Sequence, residues 1–255
     1  MILTHDVDWP PAGPGVPHIL ARRDRFEQGV LERVAKEGFN PYNNINLLME
    51  MEAANGLRST FFFRPRYDDG TPVSEYASYI GDLKARGWEV GAHLNDAGSL
   101  ESIRSERDQI GKVLGAPPLG CRVHYLRLNE GSHSYMRRAG FEYDSSVMPY
   151  KDQVSPKSAG FQLKEGLIVF PITIMDAYLF TYMKVPEDKV PGVLEAAIAS
   201  CKATGYMTIL WHDNSVLMKG GRAYARICEV LASRKDVECV TAIEACQLLT
   251  KEAKE

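Results

Sequence analysis

The sequence contains no long apolar run and no recognisable export signal. None of its apolar segments approaches the roughly 20 residues that a membrane-spanning helix needs, so we expect no membrane span in the 255-residue chain. The first residues include neither a basic region nor a cleavable apolar stretch, which argues against a signal peptide. We therefore expect a cytoplasmic protein.

The chain also lacks paired cysteines, because none of its five cysteines forms a CxxC motif. An odd, scattered set without an export signal is typical of reduced thiols in the cytoplasm. The cysteine spacings of zinc-binding motifs are absent as well. We expect most of the five side chains to fill the core: Cys121, Cys201, Cys228, Cys239 and Cys246.

Neither sign of charge is in strong excess. The 30 Lys and Arg residues and 33 Asp and Glu residues give a net charge of −3. No basic cluster is dense enough to indicate a nucleic-acid partner. The composition, 45% hydrophobic, is that of an ordinary globular protein. The length fits a single α/β domain over residues 1–255, either as a monomer or as an oligomer.

Short apolar runs alternate with longer amphipathic stretches, without internal repeats or low-complexity segments. The apolar, β-branched and aromatic runs predict strands at 2–4, 59–63, 88–91, 121–125, 141–143, 167–174, 207–211 and 237–240. Helical periodicity predicts helices at 19–37, 43–55, 73–86, 99–114, 131–139, 187–203, 220–234 and 241–252. About seven β-α units result, which predicts an α/β fold around a mostly parallel sheet.

Polar side chains follow nearly every predicted strand at the point where the strand ends. They are His5, Asp6, Asp8, Arg64, Arg66, His93, Asn95, Asp96, His124, Arg127, Asp144, Asp176, His212 and Asp213. In α/β barrels and open sheets, active sites gather at the carboxyl ends of the strands. We therefore expect one functional site at this edge of the sheet.

The first of these groups is a pair of carboxylates, Asp6 and Asp8. If the chain stays extended, side chains two positions apart point to the same side. One carboxylate can hold a metal ion while the other takes a proton from metal-activated water, whose pKa falls toward ~7. The alternative interpretation is an ordinary pair of loop acids that cap turns.

Three histidines at strand ends extend this pattern. A lone histidine is more often a hydrogen-bonded core residue than a ligand. His93 and His124 together with one aspartate, however, form a plausible metal-binding set with open positions. An imidazole such as that of His212 is suited to protonate a leaving amine or alcohol near neutral pH.

Five short motifs resemble, in this order, those of the polysaccharide deacetylase superfamily of carbohydrate esterases. The motifs are Thr4-His5-Asp6-Val7-Asp8, Gly91-Ala92-His93, Arg122-Val123-His124-Tyr125, Tyr143-Asp144-Ser145-Ser146 and Leu210-Trp211-His212. Each motif is short, but their shared order over residues 1–215 makes the resemblance specific. It implies a distorted (β/α)7 barrel and a bound divalent metal, often zinc.

The resemblance also implies a role for each matching residue. Asp6 corresponds to the catalytic base, and Arg122 to the arginine that pairs with the base and stabilises its charged form. His212 corresponds to the catalytic acid, and Asp176 is placed like the acidic residue that orients this histidine. The expected substrate contacts are Tyr125, Asp144 and Trp211.

The resemblance implies Asp8 and His93 as metal ligands, and we expect His124 to be the third. The family has a second histidine four residues after the first, and here that position is Ala97. His124 stands where many members have proline, and we expect it to replace the missing ligand. Asp96 and His133 are reserve candidates, but the sequence favours a loop acid and a surface histidine at a helix start as their interpretations.

The sequence therefore predicts a metal-dependent hydrolase that removes an acyl group, such as acetyl, from an amino sugar or a glycan precursor. The His-Asp-Val-Asp opening and the Arg-x-His-Tyr motif resemble a subgroup associated with cell-surface polysaccharide synthesis. Two alternatives stay open. The barrel could hydrolyse C–N bonds of other compounds, such as cyclic amides, or it could bind carbohydrate without a metal and without activity.

Overall fold

The computed structural model describes residues 1–252, which form nine strands and ten α-helices joined by loops and short 3-10 turns. The strands are β1 Ile2–Val7, β2 Thr60–Phe63, β3 Glu89–Leu94, β4 Gly120–Val123, β5 Tyr143–Asp144, β6 Gln162–Lys164, β7 Leu167–Val169, β8 Ile172–Met175 and β9 Thr208–Leu210. The helices are α1 Val16–Ala21, α2 Gln28–Glu37, α3 Ile45–Ala54, α4 Ala77–Ala85, α5 Leu100–Leu114, α6 Ser132–Ala139, α7 Asp176–Thr181, α8 Val190–Cys201, α9 Ala223–Ser233 and α10 Ala242–Glu252. Within this described part, no helix is long and apolar enough to cross a bilayer.

All nine strands belong to one sheet, in the order β6-β7-β5-β4-β3-β2-β1-β9-β8. The β6–β7 pair is antiparallel, and the other neighbouring strands are parallel. Helix α10 contacts both β1 and β5, which lie four places apart in the sheet. The sheet therefore curls around this helix, and the predicted barrel-like α/β fold is confirmed.

Central strands are buried on both faces. In β2, Phe61 and Phe63 pack into the main apolar core, whereas Phe62 faces the smaller core around α10. Both environments leave these rings without exposed surface. Burial on two sides is typical of parallel strands covered by helices. It explains why β2 is a continuous apolar run rather than an alternating one.

Three predicted elements are corrected by the structure. The single strand predicted over 167–174 is wrong, because β7 and β8 are separate strands, with β7 pairing with β5 and β6 and β8 with β9. The single helix predicted over 19–37 is wrong, because α1 and α2 are separated by a 3-10 turn at Arg23–Arg25 and by the extended residue Phe26. Phe26 is buried and pairs with Met218, so tertiary packing outweighs helix propensity at this point. The strand predicted at 237–240 is reduced to an isolated bridge between Ile2 and Val240.

A buried carboxylate ties the first strand to the helices outside the sheet. Glu52 of α3 has no exposed surface, and its Oε1 lies 2.7 Å from Nε2 of His5. The same carboxylate accepts hydrogen bonds from Ser59, Trp88 and Tyr224. Burial raises the pKa of Glu52, but His5 and these hydrogen bonds outweigh burial and hold the pKa below its ordinary value.

We expect Glu52→Ala to lower the free energy of unfolding by about 3–5 kcal/mol, because the substitution leaves His5 and three other donors buried without an acceptor. Urea unfolding monitored by circular dichroism measures this change. Glu50→Ala is the matched control: Glu50 is exposed on the same helix, so its replacement should change stability by less than about 0.5 kcal/mol. Equal effects of the two substitutions would contradict the role assigned to Glu52.

The same network predicts a pH dependence. Since the pKa of Glu52 is lower in the folded than in the unfolded chain, its ionised form stabilises the fold above the unfolded value of 4.5. This contribution disappears as the pH falls through the folded pKa. The stability difference between the wild type and Glu52→Gln should therefore be largest above pH 4.5 and shrink in more acidic solution. A difference that grows on acidification would contradict the assignment.

Candidate active site

Three ligand-type side chains meet at the carboxyl edge of the sheet. Asp8 follows β1, His93 lies on β3, and His124 starts the turn after β4. Asp8 Oδ1 lies 3.2 Å from His93 Nε2 and 3.4 Å from His124 Nδ1. The two imidazole nitrogens are 3.2 Å apart. The three atoms thus form a nearly equilateral triangle.

This triangle fits a divalent metal. In a tetrahedral zinc site with bonds of about 2.0–2.2 Å, ligand atoms lie roughly 3.3–3.6 Å from one another. Asp8 Oδ1, one corner of the triangle, is also buried without a hydrogen-bond partner among the described residues. Buried polar atoms are almost always satisfied, so unpaired ones point to a missing ion or water. An aspartate with two histidines is, in addition, a donor set that zinc favours.

The protonation of the two histidines suits this role. His93 Nδ1 lies 3.1 Å from the carbonyl oxygen of Arg122 and donates its proton there, which leaves the Nε2 lone pair facing the triangle. Burial is the main reason that the pKa of His124 falls below its ordinary value, so this imidazole stays neutral at neutral pH. Neutral imidazole is the form that binds metal.

Asp6 lies beside the triangle and is held by a buried arginine. Its Oδ1 accepts a hydrogen bond of 2.8 Å from Arg122 Nη1, and its Oδ2 lies 3.7 Å from His93 Nε2. Burial raises the pKa of Asp6, but Arg122, His93 and His212 outweigh burial and keep the pKa below its ordinary value. Asp6 is therefore an ionised carboxylate that can accept a proton.

Arg122 is fixed by its own hydrogen bonds. The side chain has no exposed surface. It donates to Thr4 Oγ1 as well as to Asp6, and two further hydrogen bonds of 2.7 and 2.8 Å reach the carbonyl and the hydroxyl of Ser145. Its guanidinium also lies over the ring of Phe62. These contacts satisfy the buried charge and set the position of Asp6.

His212 stands on the opposite side of the triangle with its own carboxylate. Its Nδ1 donates to Asp176 Oδ1 at 2.7 Å, and its Nε2 lies 3.8 Å from Asp8 Oδ2. The second oxygen of Asp176 accepts the backbone N–H of His212 and the hydroxyl of Ser215. Burial lowers the pKa of His212, but the charges of Asp176, Asp8 and Asp6 outweigh burial and raise it to about 10. The protonated imidazole can therefore donate a proton from Nε2.

A strained turn presents Tyr125 at the rim. Tyr125 and Leu126 both have φ of 57°, in the left-handed region that residues other than glycine rarely adopt. Such strain persists only where the surrounding structure enforces it, and it is concentrated at functional sites. The turn ends β4, buries His124, and leaves the Tyr125 side chain 66% exposed.

These residues surround a cavity of about 260 Å³, named here the catalytic pocket. Its polar lining consists of Asp6, Asp8, His93, His124 and His212. Tyr125 lies at its rim. Apolar side chains complete the wall: Leu126, Met175, Ala177, Tyr178 and Leu210.

The structure brings most of the expected site residues together but not all of them. Asp144 and Trp211 have no exposed surface and do not line the catalytic pocket. Asp144 is bound to Ser146 and lies 3.4 Å from His133 Nε2, while Trp211 Nε1 donates to the carbonyl of Gly221. Neither side chain is therefore placed to contact a substrate in the pocket.

Asp96 and His133, the other candidate ligands, also lie outside the triangle. His133 is next to Asp144, and Asp96 accepts the backbone N–H of Gly98 in an exposed turn. Ala97, where a second histidine was expected, is buried, and its carbonyl accepts the hydroxyl of Ser132. His5 points away from the site, toward Glu52 and the carbonyl of Trp211.

The sequence patterns missed two sets of residues around the site. The apolar wall includes Tyr178 of helix α7, and no helix was predicted there. Glu52 was missed as well, although a signal existed. It follows Ile45, Leu48 and Met49 at the spacing of the buried stripe of α3, where a charged residue is unusual.

The fold is similar to that of solved polysaccharide deacetylase structures. An inferred polysaccharide deacetylase from Mycobacterium smegmatis matches with a TM-score of 0.69 and 17% identity, over 99% of this chain and 90% of its own. The peptidoglycan deacetylase PdaC from Bacillus subtilis matches with a TM-score of 0.51 and 17% identity, over 99% and 92% of the two chains. A CE4 family pseudoenzyme from Bacillus anthracis matches with a TM-score of 0.55 and 10% identity, over 96% and 64%.

These similarities establish the fold alone. At such low identities, a shared fold supports many functions, and one of the matching structures is itself a pseudoenzyme. The sequence matches no protein-family model and no curated protein at a significant level. Function must therefore be argued from the site.

The ligand triangle predicts how metal binding should respond to mutation. His124→Ala removes one corner and should weaken zinc binding by at least about tenfold, since loss of even an outer contact commonly costs 10- to 100-fold. Competition with a chromophoric chelator measures the affinity. His133→Ala is the control, because His133 lies beside Asp144 and outside the triangle. Unchanged zinc affinity in His124→Ala would exclude His124 as a ligand.

Proposed function

We propose that this protein is a metal-dependent hydrolase that removes a small acyl group, such as acetyl, from the nitrogen or oxygen of an amino sugar or glycan precursor. One observation carries the proposal: a metal-type triangle, an ionised carboxylate and a protonated imidazole face the same pocket. Metal-assisted acyl hydrolysis uses this combination of electrophile, base and acid. The similarity in fold to deacetylases supports the same reaction class.

Asp8, His93 and His124 would hold the ion, for which zinc is the expected choice. A divalent ion at this position supplies Lewis acidity, which polarises the acyl carbonyl and lowers the pKa of an attacking water. The apolar wall formed by Met175, Leu210 and their neighbours suits the methyl end of an acyl group.

Asp6 acts as the general base in this proposal. Its carboxylate takes the proton from the attacking water, and Arg122 keeps the carboxylate ionised and correctly oriented. Because Arg122 is itself held by Thr4 and Ser145, Asp6 has little freedom to turn away. This rigidity keeps the base on the side of the pocket where the water must lie.

His212 acts as the general acid. Its Nδ1 proton is bound to Asp176, so Nε2 is the nitrogen that faces the pocket and donates a proton to the leaving amine or alcohol. Ser215 and the backbone N–H of His212 fix Asp176 in turn. Base and acid thus stand on different elements, β1 and the end of β9, with Asp8 between them.

Hydrolysis of other C–N bonds, including cyclic amides, would use the same residues, so substrate assays decide between these reactions. Purified protein loaded with zinc is assayed for release of acetate from N-acetylated amino sugars and for opening of a cyclic amide. We expect acetate release. Opening of the cyclic amide without acetate release would replace the proposed substrate class. A protein without stoichiometric metal and without either activity would instead be a binding module.

Two substitutions separate the proposed base from the proposed ligand. Asp6→Asn should lower kcat by about 10²- to 10⁴-fold while zinc content stays near one ion per chain, because general base catalysis contributes that much. Asp8→Asn should lose both zinc and activity, since Asp8 is a corner of the triangle. Metal analysis and steady-state kinetics are run on the same preparations. If Asp6→Asn kept most of its activity, the base would have to be another group.

A further inference from the structure

A second cavity opens from the catalytic pocket. This side cavity has a volume of about 470 Å³ and shares Asp8, Ala177 and His212 with the catalytic pocket. Volumes of this order are typical of sites for small molecules. A substrate whose acyl group lies at the reactive residues therefore has room to extend into the side cavity past His212.

Two chain segments that are far apart in the sequence build one wall of the side cavity. Arg25 belongs to the turn between α1 and α2, and Lys219 to the loop between β9 and α9. The backbone N–H of Lys219 donates to the carbonyl of Arg25 at 2.7 Å, and the adjacent residues Phe26 and Met218 form an antiparallel bridge. Both basic side chains line the cavity.

These two cations have no protein partner. Within residues 1–252, neither Arg25 nor Lys219 forms an ion pair within 4.0 Å, although Asp8, Asp24 and Asp176 line the same cavity and Asp176 is paired with His212. Nearby Arg222, by contrast, is paired with both Glu27 and Glu187. Arg25 and Lys219 are therefore exposed cations at the cavity wall that no described carboxylate neutralises.

The charges of this turn also affect a neighbouring histidine, His18, which lies outside the cavity wall. Burial lowers the pKa of this histidine, and the charges of Arg22 and Arg25 lower it further. The turn that carries Arg22, Arg23 and Arg25 contains a single acidic residue, Asp24.

We propose that the side cavity binds an anionic group of the substrate, a phosphate ester or a carboxylate, through Arg25 and Lys219. This inference rests on the proposed function and narrows its substrate class to negatively charged acylamino sugars. Arg25 offers a planar, two-pronged donor and Lys219 a compact charge, a combination that suits the oxygens of either anion. Asp24 in the same wall can accept sugar hydroxyl groups.

The test compares three substrates that share the acylated nitrogen: N-acetylglucosamine, its 1-phosphate and the corresponding N-acetylated uronic acid. We expect kcat/KM to be at least about tenfold higher for one of the two anionic compounds than for the neutral sugar. The preferred anion identifies the chemistry of the group. The advantage should shrink at high salt, because partly exposed charges are screened.

The double variant Arg25→Ala/Lys219→Ala should remove this preference, because kcat/KM falls further for the anionic substrate than for the neutral sugar. Arg23→Ala is the matched control, since Arg23 is exposed in the same turn but does not line the cavity. Equal kcat/KM for neutral and anionic sugars, or a preference that survives in the double variant, would overturn the inference and leave the proposed function standing.

Binding gives a readout that does not depend on turnover. In Asp6→Asn, calorimetry should detect N-acetylglucosamine 1-phosphate or the uronic acid, and the added double substitution should weaken that binding at least about tenfold. If none of the three sugars is hydrolysed by the wild type, the proposed function fails, while binding that depends on Arg25 and Lys219 still supports the anion site. Affinity that is the same with and without these two residues would exclude it.

Discussion

Asp6 on β1 and Arg122 on β4 form a buried ion pair across the curled sheet, and the position of the site depends on it. Breaking such a pair would leave an uncompensated buried charge, so the two strands are held in one relative position. After each of these two residues, a proposed ligand follows two positions later: Asp8 after Asp6, and His124 after Arg122. In an extended strand, residues two positions apart have side chains on the same face. The Asp6–Arg122 pair therefore also sets the positions of Asp8 and His124. His93 on β3 lies opposite Arg122 on β4 in the sheet, and its Nδ1 donates to the carbonyl oxygen of Arg122.

This geometry explains how the site can do without the histidine that the related motif places at position 97. Ala97 is buried and its backbone binds Ser132, so that loop is committed to packing. In the proposed site, the turn after β4 would supply an imidazole instead, and this turn has two consecutive residues in the left-handed region. Such strain persists where surrounding contacts enforce it. The Asp6–Arg122 ion pair, two residues before His124 on β4, gives this turn a rigid attachment to the sheet.

The sequence predicted the parts of the site that local rules determine. Short-range patterns predict the strand ends and the two-residue spacing of Asp6 and Asp8. The family resemblance predicts that Arg122 pairs with Asp6. The orientation of Trp211 does not follow from such patterns. Strand β9 is buried on both faces, so the sequence shows no alternation of polar and apolar residues that would reveal which side chains face the pocket. His212 and Trp211 are neighbours that face opposite ways, toward the pocket and into the core. The break between α1 and α2 was missed because it arises from the contact of Phe26 with Met218, almost 200 residues away.

The loop between β9 and α9 links the chemistry to the choice of substrate. It begins with the proposed acid His212, continues through Ser215, which holds Asp176, and reaches Lys219 on the wall of the side cavity. The hydrogen bond from Lys219 to Arg25 then attaches the turn between α1 and α2 to the same loop. An anion bound between Arg25 and Lys219 would hold these two segments together and thereby restrain the loop that carries His212. Recognition of the charged group would thus favour the orientation of the acid that proton transfer requires, because a well-oriented donor lowers the entropic part of the barrier.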